Sequence, residues 1–596
     1  MKAKHLFPFV CLQSLVWGLA SLSFFHINGF YLDVAGILFT VTFLIGHTFV
    51  FALLVGLLAW PWSRLGSRSL QVAGVCWGSF FSTLLVIDWV VFSQYRFHVG
   101  VAMLQLLLGP ARSDIFVFSA GMWLLAGLII LAILALETGL AYLSRYIVLS
   151  KRIIFAILGI WLVCFLTYNA MYAWGQFMQI PSIVSQRKAL PLTFPLSANR
   201  QLRKWGFEPK RQPYAIPPKG NLRYPQSLSC PTIQKPLNVL LFLVDSWRAD
   251  MLNPEVMPRL SAWVKKQNMT VFTRHLSGGN STAGGVFSLF YSLPLSYWDD
   301  FTGLNLPPLL ISQALQNGYE PAIFASSKLN SPSFDRNIFA SIPHLRIGSK
   351  PGLSWKRDRE AVEGFEHFLR TRKADVPFFG FIFLDAPHGY SYPEGDKPFT
   401  PAKEINYILL SNRTDPTPYF NQYKNSVYFI DKQIDQILSD LQQRHLLENT
   451  LVLITGDHGQ ELNDSHQNFW GHNSNFTDYQ TNVPLVAHFP GISAPDRVDY
   501  RTTHYDIAPT VLQTVFQCSD PTSDYSIGYH LLDSTPRPFI IFAGYEEQAL
   551  RMEDTILVFS RFNTSRQYGP HLEPVTVTPP ATLVKEGLKT FSQFYK

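Results

Sequence analysis

Three apolar runs of the sequence lead into polar side chains that could bind a metal ion. The run PLNVLLFLVDSW reaches Asp245, PFFGFIFLDAP is followed by His388, and NTLVLITGDHG reaches Asp457 and His458. Two carboxylates and an imidazole suit Zn²⁺, Mn²⁺ or a similar divalent ion, whereas a soft site would need thiolates. We therefore predict a divalent metal site at Asp245, Asp457 and His458.

A glycine-rich loop, LSGGNSTAGGVFSLFYSLP, offers hydroxyl groups that could act as a nucleophile. Its Ser281 and Thr282 precede a stretch with helical character. A hydroxyl at the N-terminus of a helix can lose its proton near neutral pH when it binds a divalent metal. Either residue could attack a phosphate-type substrate, while His388 and His472 would bind its non-bridging oxygens or a second metal ion.

These residues need a scaffold that brings the ends of several strands together. Short apolar runs that alternate with helical segments, such as 311–319 and 425–443, are typical of a doubly wound α/β sheet with parallel strands. Ligands of such sheets bind outside the carboxyl ends of the strands. The pattern predicts an α/β domain over residues 236–596, with its site at that edge of the sheet.

The first 180 residues differ, because apolar stretches of about 20 residues recur along them. Basic residues favour the side of the N-terminus by seven to two, which predicts a cytoplasmic N-terminus and an exported C-terminal domain. The third stretch contains Asp88, which is either a functional intramembrane acid or an interfacial residue. The five predicted spans are about 6–26, 35–60, 71–92, 116–136 and 153–174.

Charge is unevenly distributed along the chain. The formal net charge of its 596 residues is +7, with +5 on residues 1–180, +8 on residues 181–225 and −6 on residues 226–596. A nucleic-acid partner would require a basic surface on the folded domain, so the acidic balance of the largest part excludes that class. The sequence predicts a transmembrane domain over 1–180, a basic connector over 181–235 and the exported domain.

The connector interleaves basic and aromatic residues around a short predicted helix at 197–205. Its Leu202, Trp205 and Phe207 could enter the membrane interface. Basic side chains near a bilayer attract anionic head groups, each contributing on the order of 1 kcal/mol. We favour lipid contact here over a solvated spacer. The basic residues of the helix are Arg200, Arg203 and Lys204.

Two of the five cysteines, Cys230 and Cys518, lie outside the predicted spans. In an oxidising compartment such a pair either forms a disulfide or remains as free thiols, since the sequence alone supplies no geometry. The other three fall inside spans, where a thiol behaves as a small apolar group.

Several motifs of the exported part resemble the alkaline phosphatase superfamily in its sulfatase-like, lipid-modifying branch. They are LVDSW, GGNSTAGGVF, DAPHGY, GDHGQEL, WGHN, NVPLVAHFPG and HYDIAPTVL. That branch includes membrane-anchored phosphoethanolamine transferases and lipoteichoic acid synthases, which implies an enzyme that uses a divalent metal. The implied ligands of the principal metal are Asp245, Thr282, Asp457 and His458.

The same resemblance favours Thr282 over Ser281 as the nucleophile, because the family nucleophile is followed five residues later by a hydrophobic or proline position, here Phe287. It places His388 and His472 on the phosphate of the substrate. Sulfatases need Cys or Ser followed by x-Pro-x-Arg for conversion to formylglycine, and the sequence after Ser281 lacks that motif. Hydrolysis of sulfate esters is therefore not expected.

The whole chain is similar to YejM (PbgA)-type inner-membrane proteins of Gram-negative bacteria, in its five spans, its connector with PLTFPLSANRQLRKWGF and its sulfatase-like domain. This resemblance implies an inner-membrane protein with a periplasmic C-terminal domain. It also implies that Arg200, with Arg203 and Lys204, contacts lipid A, cardiolipin or phosphatidylglycerol. A partner protein in the inner membrane could bind the transmembrane bundle.

Two functions follow from these observations. The first is a membrane-anchored, metal-dependent phosphatase or phospho-alcohol transferase that acts on envelope lipids through Thr282. The second is a non-catalytic, lipid-binding regulator of lipopolysaccharide homeostasis, which the YejM-type resemblance implies. Well-known members of that group have a degraded metal site, whereas this chain retains the whole set of residues, so we rank the enzyme first.

Overall fold

The computed structural model describes residues 1–28, 31–96, 98–100, 120–178, 180–207, 221–560 and 565–595. These residues form two compact units. The helical unit contains residues 1–100 and 120–207, and the α/β unit contains residues 221–595.

Five helices of the helical unit are long and apolar enough to cross a membrane, which confirms the five predicted spans. The fourth continues well past its predicted end at residue 136. Glu137 interrupts the apolar run there, but its side chain is fully buried and hydrogen-bonded within the bundle. The helices are α1 (Leu6–Asn28), α2 (Val34–Ala59), α3 (Ser67–Tyr95), α4 (Ala120–Leu143) and α5 (Lys151–Met178).

The first part of the connector packs with these helices and is hydrogen-bonded to them. His47 Nε2 on α2 lies 2.9 Å from the carbonyl oxygen of Pro191, and the backbone N–H of Leu196 donates to the side chain of Asn169 on α5 at 3.0 Å. Residues 180–207 therefore form part of the helical unit. They contain two short helices, α6 (Pro181–Val184) and α7 (Asn199–Lys204).

Helix α7 coincides with the helix predicted at 197–205. Leu202, which we expected to enter the membrane interface, is buried within the helical unit at 8% exposure, so this expectation was wrong. Trp205 and Phe207 remain exposed, and the Phe207 ring packs edge-on against Trp174 of α5. The basic side chains that are exposed on α7 are Arg200, Arg203 and Lys204.

Asp88, near the end of α3, is also hydrogen-bonded locally. Its carboxyl accepts the backbone N–H of Val99 at 2.7 Å and lies 2.7 Å from His98 Nδ1. These contacts favour the interfacial interpretation of Asp88, because they connect the end of the helix to the residues that follow it.

A seven-stranded mixed sheet forms the centre of the α/β unit. Its strands, in order across the sheet, are β10 (Arg497–Val498), β2 (Thr270–Phe272), β9 (Leu485–His488), β6 (Thr450–Gly456), β1 (Asn238–Val244), β5 (Phe378–Leu384) and β4 (Glu320–Ala325). The three apolar runs singled out in the sequence are neighbours in this sheet and run parallel, as predicted. Strand β9 is antiparallel to both β6 and β2.

Helices cover both faces of the sheet, which confirms the α/β class. Successive side chains of β1 point to opposite faces, so that Leu241 and Leu243 join one hydrophobic core while Leu240 and Phe242 join the other. The first core contains α9 (Thr282–Tyr291), α11 (Leu309–Gln316) and α15 (Ile507–Thr514). The second contains α8 (Pro258–Lys266), α12 (Ser354–Thr371) and α13 (Thr417–Gln443).

A second, four-stranded antiparallel sheet lies toward the C-terminus and was not foreseen from the sequence. It contains β12 (Ile540–Ala543), β13 (Glu547–Arg551), β14 (Ile556–Ser560) and β15 (Ser565–Tyr568), and α16 (Ala581–Phe591) packs on it. The remaining short elements are β3 (His275–Leu276), β7 (Glu461–Leu462), β8 (Trp470–Gly471), β11 (Thr502–Thr503), α10 (Trp298–Gly303) and α14 (Asp478–Thr481).

The first described residues of the α/β unit are attached to residues far along the chain. Cys230 and Cys518 form a disulfide across a sequence separation of 288 residues, which decides the alternative left open by the sequence. Leu222 forms a β-bridge with Tyr595, and the backbone N–H of Arg223 donates to the carbonyl of Phe594 at 2.8 Å.

Candidate metal centre

The register of the central strands brings three acidic residues to one edge of the sheet. Val244 of β1 lies opposite Leu384 of β5 and opposite Gly456 of β6. The next residue of each strand is an aspartate, and the three residues emerge side by side. They are Asp245, Asp385 and Asp457.

The Asp245 carboxyl is buried and is held from two sides. Its Oδ1 atom accepts a hydrogen bond from Ser246 Oγ at 2.8 Å and lies 3.0 Å from His388 Nδ1. His388 follows β5, so the contact joins the ends of neighbouring strands. Both residues were predicted at this edge of the sheet, and the structure brings their side chains into direct contact.

Asp457 presents one satisfied and one unsatisfied oxygen. Its Oδ1 atom accepts the backbone N–H groups of Ser246 at 2.9 Å and of His458 at 2.7 Å. Its Oδ2 atom is buried and has no hydrogen-bond partner within the described part of the chain. Because an unsatisfied buried carboxylate oxygen is costly, this atom is a candidate ligand for a cation.

The His458 ring is oriented so that one of its nitrogens faces Asp457 Oδ2. Its Nδ1 atom lies 2.8 Å from the carbonyl of Gly459, so Nδ1 carries the hydrogen and Nε2 offers a lone pair. Nε2 lies 3.4 Å from Asp457 Oδ2, 3.7 Å from Asp245 Oδ1 and 3.3 Å from Thr282 Oγ1. The predicted metal ligands and the predicted nucleophile therefore converge on one point.

The two hydroxyl residues of the glycine-rich loop have different surroundings. Ser281 is the N-cap of α9, is 1% exposed, and accepts the backbone N–H of Gly284 through its Oγ atom at 3.2 Å. Thr282 begins the helix and is partly exposed beside His458. A Cβ atom on Gly285 would lie 2.1 Å from the carbonyl oxygen of Asp457, so only glycine lets α9 approach the end of β6 this closely.

His388 and His472 lie on the same side of the cluster. The His472 ring centroid is 4.2 Å from that of His458 and 5.2 Å from that of His388. Gln460 Oε1 lies 2.8 Å from His472 Nδ1, which leaves Nε2 as the free ring nitrogen. Gln460 was not among the predicted site residues, although its position two residues after His458 in GDHGQEL was a usable signal.

Burial and mutual charge shift the titration of these groups in opposite directions. Burial alone would raise the pKa of Asp245, but the charge of His388 and its hydrogen bond outweigh burial and hold that pKa below its usual range. Burial raises the pKa of Asp457, and the negative charge of Asp245 raises it further. Burial would lower the pKa of His388, but Asp245 outweighs burial and raises it to about 9. The raised pKa of Asp457 thus reflects repulsion between two buried carboxyl groups, which a bound cation would relieve.

The donor set fits a divalent metal ion. One ligand atom from each of Asp245, Asp457 and His458 lies within 4.8 Å of the others, and Thr282 Oγ1 faces the same point. Two carboxylate oxygens, one imidazole nitrogen and a hydroxyl are ligands that Zn²⁺ and Mn²⁺ accept. The unsatisfied Oδ2 atom of Asp457 is the observation that favours an ion over a purely structural cluster.

Asp385 is a site residue that sequence analysis missed. It forms a second group of ligand atoms with Asp245 and His388, also within 4.8 Å. One of its oxygens, Oδ2, is already bound to the buried Arg357 guanidinium and to Ser354 Oγ at 3.1 Å. Its place in DAPHGY, directly after a buried strand, was the same signal that identified Asp245, whereas nothing in the sequence indicated Arg357.

Two family matches together span most of the chain. Residues 237–515 match the family described as Sulfatase, and residues 3–229 match a domain of unknown function (DUF3413). The chain therefore carries a sulfatase domain of the alkaline phosphatase superfamily. Over most of its length it is similar to the inner membrane protein YejM of Salmonella typhimurium, with 26% identity over 507 residues that cover 83% of this chain and 79% of the relative.

A solved structure shares the architecture of both units. The integral membrane protein lipooligosaccharide phosphoethanolamine transferase A (EptA) from Neisseria meningitidis aligns with a TM-score of 0.54 and 17% identity, covering 88% of this chain and 96% of EptA. The lipoteichoic acid synthase-like protein YvgJ of Bacillus subtilis is 21% identical over 220 residues, or 35% of this chain and 33% of YvgJ. The likeness to EptA shows that a bundle of membrane helices followed by this α/β fold is a known arrangement.

Proposed function

We propose that the protein is a membrane-anchored, metal-dependent phosphatase or phospho-alcohol transferase that acts on phosphate esters of envelope lipids. The observation that carries this proposal is the convergence of the unsatisfied Asp457 Oδ2, the His458 Nε2 atom and the Thr282 hydroxyl at the edge of the sheet. Members of the alkaline phosphatase superfamily use a divalent metal, and Asp245, Thr282, Asp457 and His458 would hold it, as Zn²⁺ or Mn²⁺.

Thr282 would act as the nucleophile. A divalent cation bound at this cluster would lower the pKa of the threonine hydroxyl and supply positive charge next to the phosphate. Thr282 Oγ1 would then form a bond to phosphorus, the bond to the leaving alcohol would break, and the alcohol would take up a proton. Water, or a second alcohol, would attack the phosphothreonine and release Thr282 again.

His388 and His472 would bind the non-bridging oxygens of the substrate phosphate. Each has its Nδ1 atom engaged, His388 with Asp245 and His472 with Gln460, so both rings are held in place before a substrate arrives. His388 has its pKa raised to about 9, so its free Nε2 atom carries a hydrogen and would donate to a phosphate oxygen without reorganisation. His472 Nε2 would donate only in the imidazolium form, and in the neutral ring it would be a ligand for a second metal ion. If the second ligand group binds a metal instead, His388 and Asp385 would be its ligands.

The relatives and the missing sulfatase motif support a phosphate-ester substrate rather than a sulfate ester. Ser281 and Thr282 lack the x-Pro-x-Arg sequence that formylglycine formation needs. EptA is named for phosphoethanolamine transfer to lipooligosaccharide, and YvgJ for its likeness to lipoteichoic acid synthase. We infer a lipid phosphate substrate such as lipid A, cardiolipin or phosphatidylglycerol, in an inner membrane with the N-terminus in the cytoplasm and the α/β unit in the periplasm.

Metal content and ester hydrolysis test this proposal directly. We expect the purified full-length protein to contain about one divalent ion per chain and to hydrolyse a chromogenic phosphate ester, with activity lost in a chelator and restored by Zn²⁺ or Mn²⁺. Elemental analysis and a spectrophotometric assay measure both. A metal-free protein that stays inert with either ion would contradict the proposal.

The connector supports a second candidate function, that of a lipid-binding regulator. Three basic side chains on α7 are exposed together with Trp205 and Phe207, which is the composition of a membrane-interface segment. The hydrogen bonds from the connector to α2 and α5 would pass a change in the connector to the bundle, where a partner protein in the inner membrane would bind.

Replacing Arg200, Arg203 and Lys204 together by alanine distinguishes the two functions. Each near-surface charge contributes on the order of 1 kcal/mol, so binding to vesicles that contain lipid A or cardiolipin should fall by about 10²-fold. A regulator predicts that this variant reproduces the phenotype of the deletion strain while Thr282→Ala does not. Normal lipopolysaccharide levels in the triple variant would exclude the regulator. Lys585→Ala with Lys589→Ala, on α16, serves as the control for loss of charge.

A further inference from the structure

A polar cluster lies inside the bundle of membrane helices, where α1, α3 and α4 meet. Its centre is Glu137 on α4, which is fully buried. Glu137 Oε1 accepts hydrogen bonds from Gln13 Nε2 at 2.8 Å and from Ser82 Oγ at 2.7 Å, and Trp17 Nε1 donates to Ser82 Oγ at 2.9 Å. One oxygen of the carboxyl group is therefore fully engaged.

The other oxygen of this carboxyl group has no such partner. Glu137 Oε2 and Gln13 Oε1 are both buried, and neither has a hydrogen-bond partner among the residues that the structure describes. Both atoms are acceptors, so they cannot satisfy each other without a hydrogen or a cation between them. Two unsatisfied acceptors on neighbouring helices indicate a missing positively charged or hydrogen-bearing group.

Gly78 on α3 lets both unsatisfied oxygens approach that helix closely. The point where a Cβ atom of residue 78 would lie is 2.5 Å from Glu137 Oε2 and 3.3 Å from Gln13 Oε1. Any larger side chain would collide with the glutamate. Only glycine at this position therefore lets the backbone of α3 pack against the two unsatisfied oxygens, which face the same point of the helix.

The helices around the cluster provide no countercharge for Glu137. The only Lys or Arg on α1, α3 and α4 is Arg68, at the start of α3, and the described salt bridges include none to Glu137. The other titratable residues described on these helices are Cys11, His26, Cys76, Asp88 and Tyr142, none of which is hydrogen-bonded to Glu137. An ionised carboxylate in this position would need a cation, because charge inside the hydrocarbon region is costly.

We propose that Glu137 Oε2 and Gln13 Oε1 together bind one positive charge next to Gly78, either a proton or Na⁺. A proton would make Oε2 a donor to Gln13 Oε1 and would satisfy both acceptors at once. Na⁺ is a hard cation that takes carboxylate and amide oxygens as ligands. In both cases the positive charge joins α1 and α4 beside α3, and this site is distinct from the metal centre of the α/β unit.

The test compares the full-length protein in lipid nanodiscs with three variants. Glu137→Gln removes the charge with little change in shape, and Gly78→Ala places a methyl group against Glu137 Oε2 and so displaces this oxygen. Gly127→Ala on α4 is the matched control, because a Cβ atom there would have no neighbour within 4 Å. Thermal unfolding is measured in NaCl and in choline chloride at equal ionic strength, and the infrared difference spectrum between wild type and each variant is recorded near neutral pH.

Two results support the proposal and identify the cation. For Na⁺, the wild type and Gly127→Ala gain several degrees in Tm in NaCl, and this gain is lost in Glu137→Gln and Gly78→Ala. For a proton, Tm does not depend on Na⁺, and the wild type shows a protonated-carboxyl band that disappears in Glu137→Gln. If Glu137→Gln does not fold, Gly78→Ala serves as the test instead. It should then lose the gain in Tm in NaCl, or shift or lose the protonated-carboxyl band. Wild-type protein that shows neither Na⁺ dependence nor a protonated-carboxyl band overturns the proposal.

Discussion

Thr282→Ala is expected to lower the rate of phosphate-ester hydrolysis by at least about 10³-fold, because it removes the attacking oxygen. The neighbouring hydroxyl cannot take its place, since Ser281 Oγ is buried and accepts the backbone N–H of Gly284 at the start of α9. The metal content should fall little, because two carboxylates and His458 remain. Steady-state kinetics on the purified protein, with elemental analysis of the same sample, measure both effects.

Ser281→Ala is the matched control for this prediction. Loss of the helix N-cap should cost about 1 kcal/mol of stability, while hydrolysis should change by no more than a few-fold. Thr282→Ser should retain measurable activity, because it keeps a hydroxyl at the same position. If Ser281→Ala were inactive and Thr282→Ala active, the assignment of the nucleophile would be reversed.

Asp457→Asn is expected to stabilise the metal-free protein and, at the same time, to abolish the stabilisation that a bound metal gives. Asparagine keeps the oxygen that accepts the N–H groups of Ser246 and His458, but it removes a buried charge close to Asp245. Relief of this repulsion should raise the free energy of unfolding of the metal-free protein by about 1–2 kcal/mol. The stabilisation by saturating metal, about 4 kcal/mol at 1,000 times Kd for the wild type, should disappear together with the activity.

Thermal and denaturant unfolding in EDTA and in excess Zn²⁺ or Mn²⁺ check this expectation. Asp499→Asn is a suitable control, because Asp499 is an exposed partner of Arg497 and should change stability by less than about 0.5 kcal/mol. A variant at position 457 that kept the full metal-dependent stabilisation would show that the carboxylate is not a ligand.

The central sheet could be predicted from the sequence because its strands are buried on both faces. Such strands are continuous apolar runs, and those ending before Asp245 and Asp457 are of this kind. The sheet of β12–β15 was missed, since its strands are short and polar residues such as those in Ser565–Tyr568 weaken the pattern. The true end of α4 was missed for a related reason, because hydropathy treats Glu137 as an interruption whatever its hydrogen bonds.

The part of the site formed by residues that directly follow strands could also be predicted. Asp245, Asp457 and His458 are in this class, since parallel strands place their carboxyl ends at one edge. Arg357 could not be found in this way, because its contact with Asp385 depends on how α12 packs against that edge. Leu202 illustrates the same limit, since an apolar residue beside basic ones suits lipid and a protein interior equally well.

The attachments of residues 222–230 have a consequence for biosynthesis. The partners of this segment, Cys518, Phe594 and Tyr595, are made roughly 290 to 370 residues later. A chain that is translocated during translation must therefore hold residues 222–230 unpaired while β1 and the rest of the central sheet become available. The α/β unit can finish folding only after residues 594–595 have crossed the membrane. A folding factor that assists this unit would therefore have to act while residues 222–230 are still unpaired.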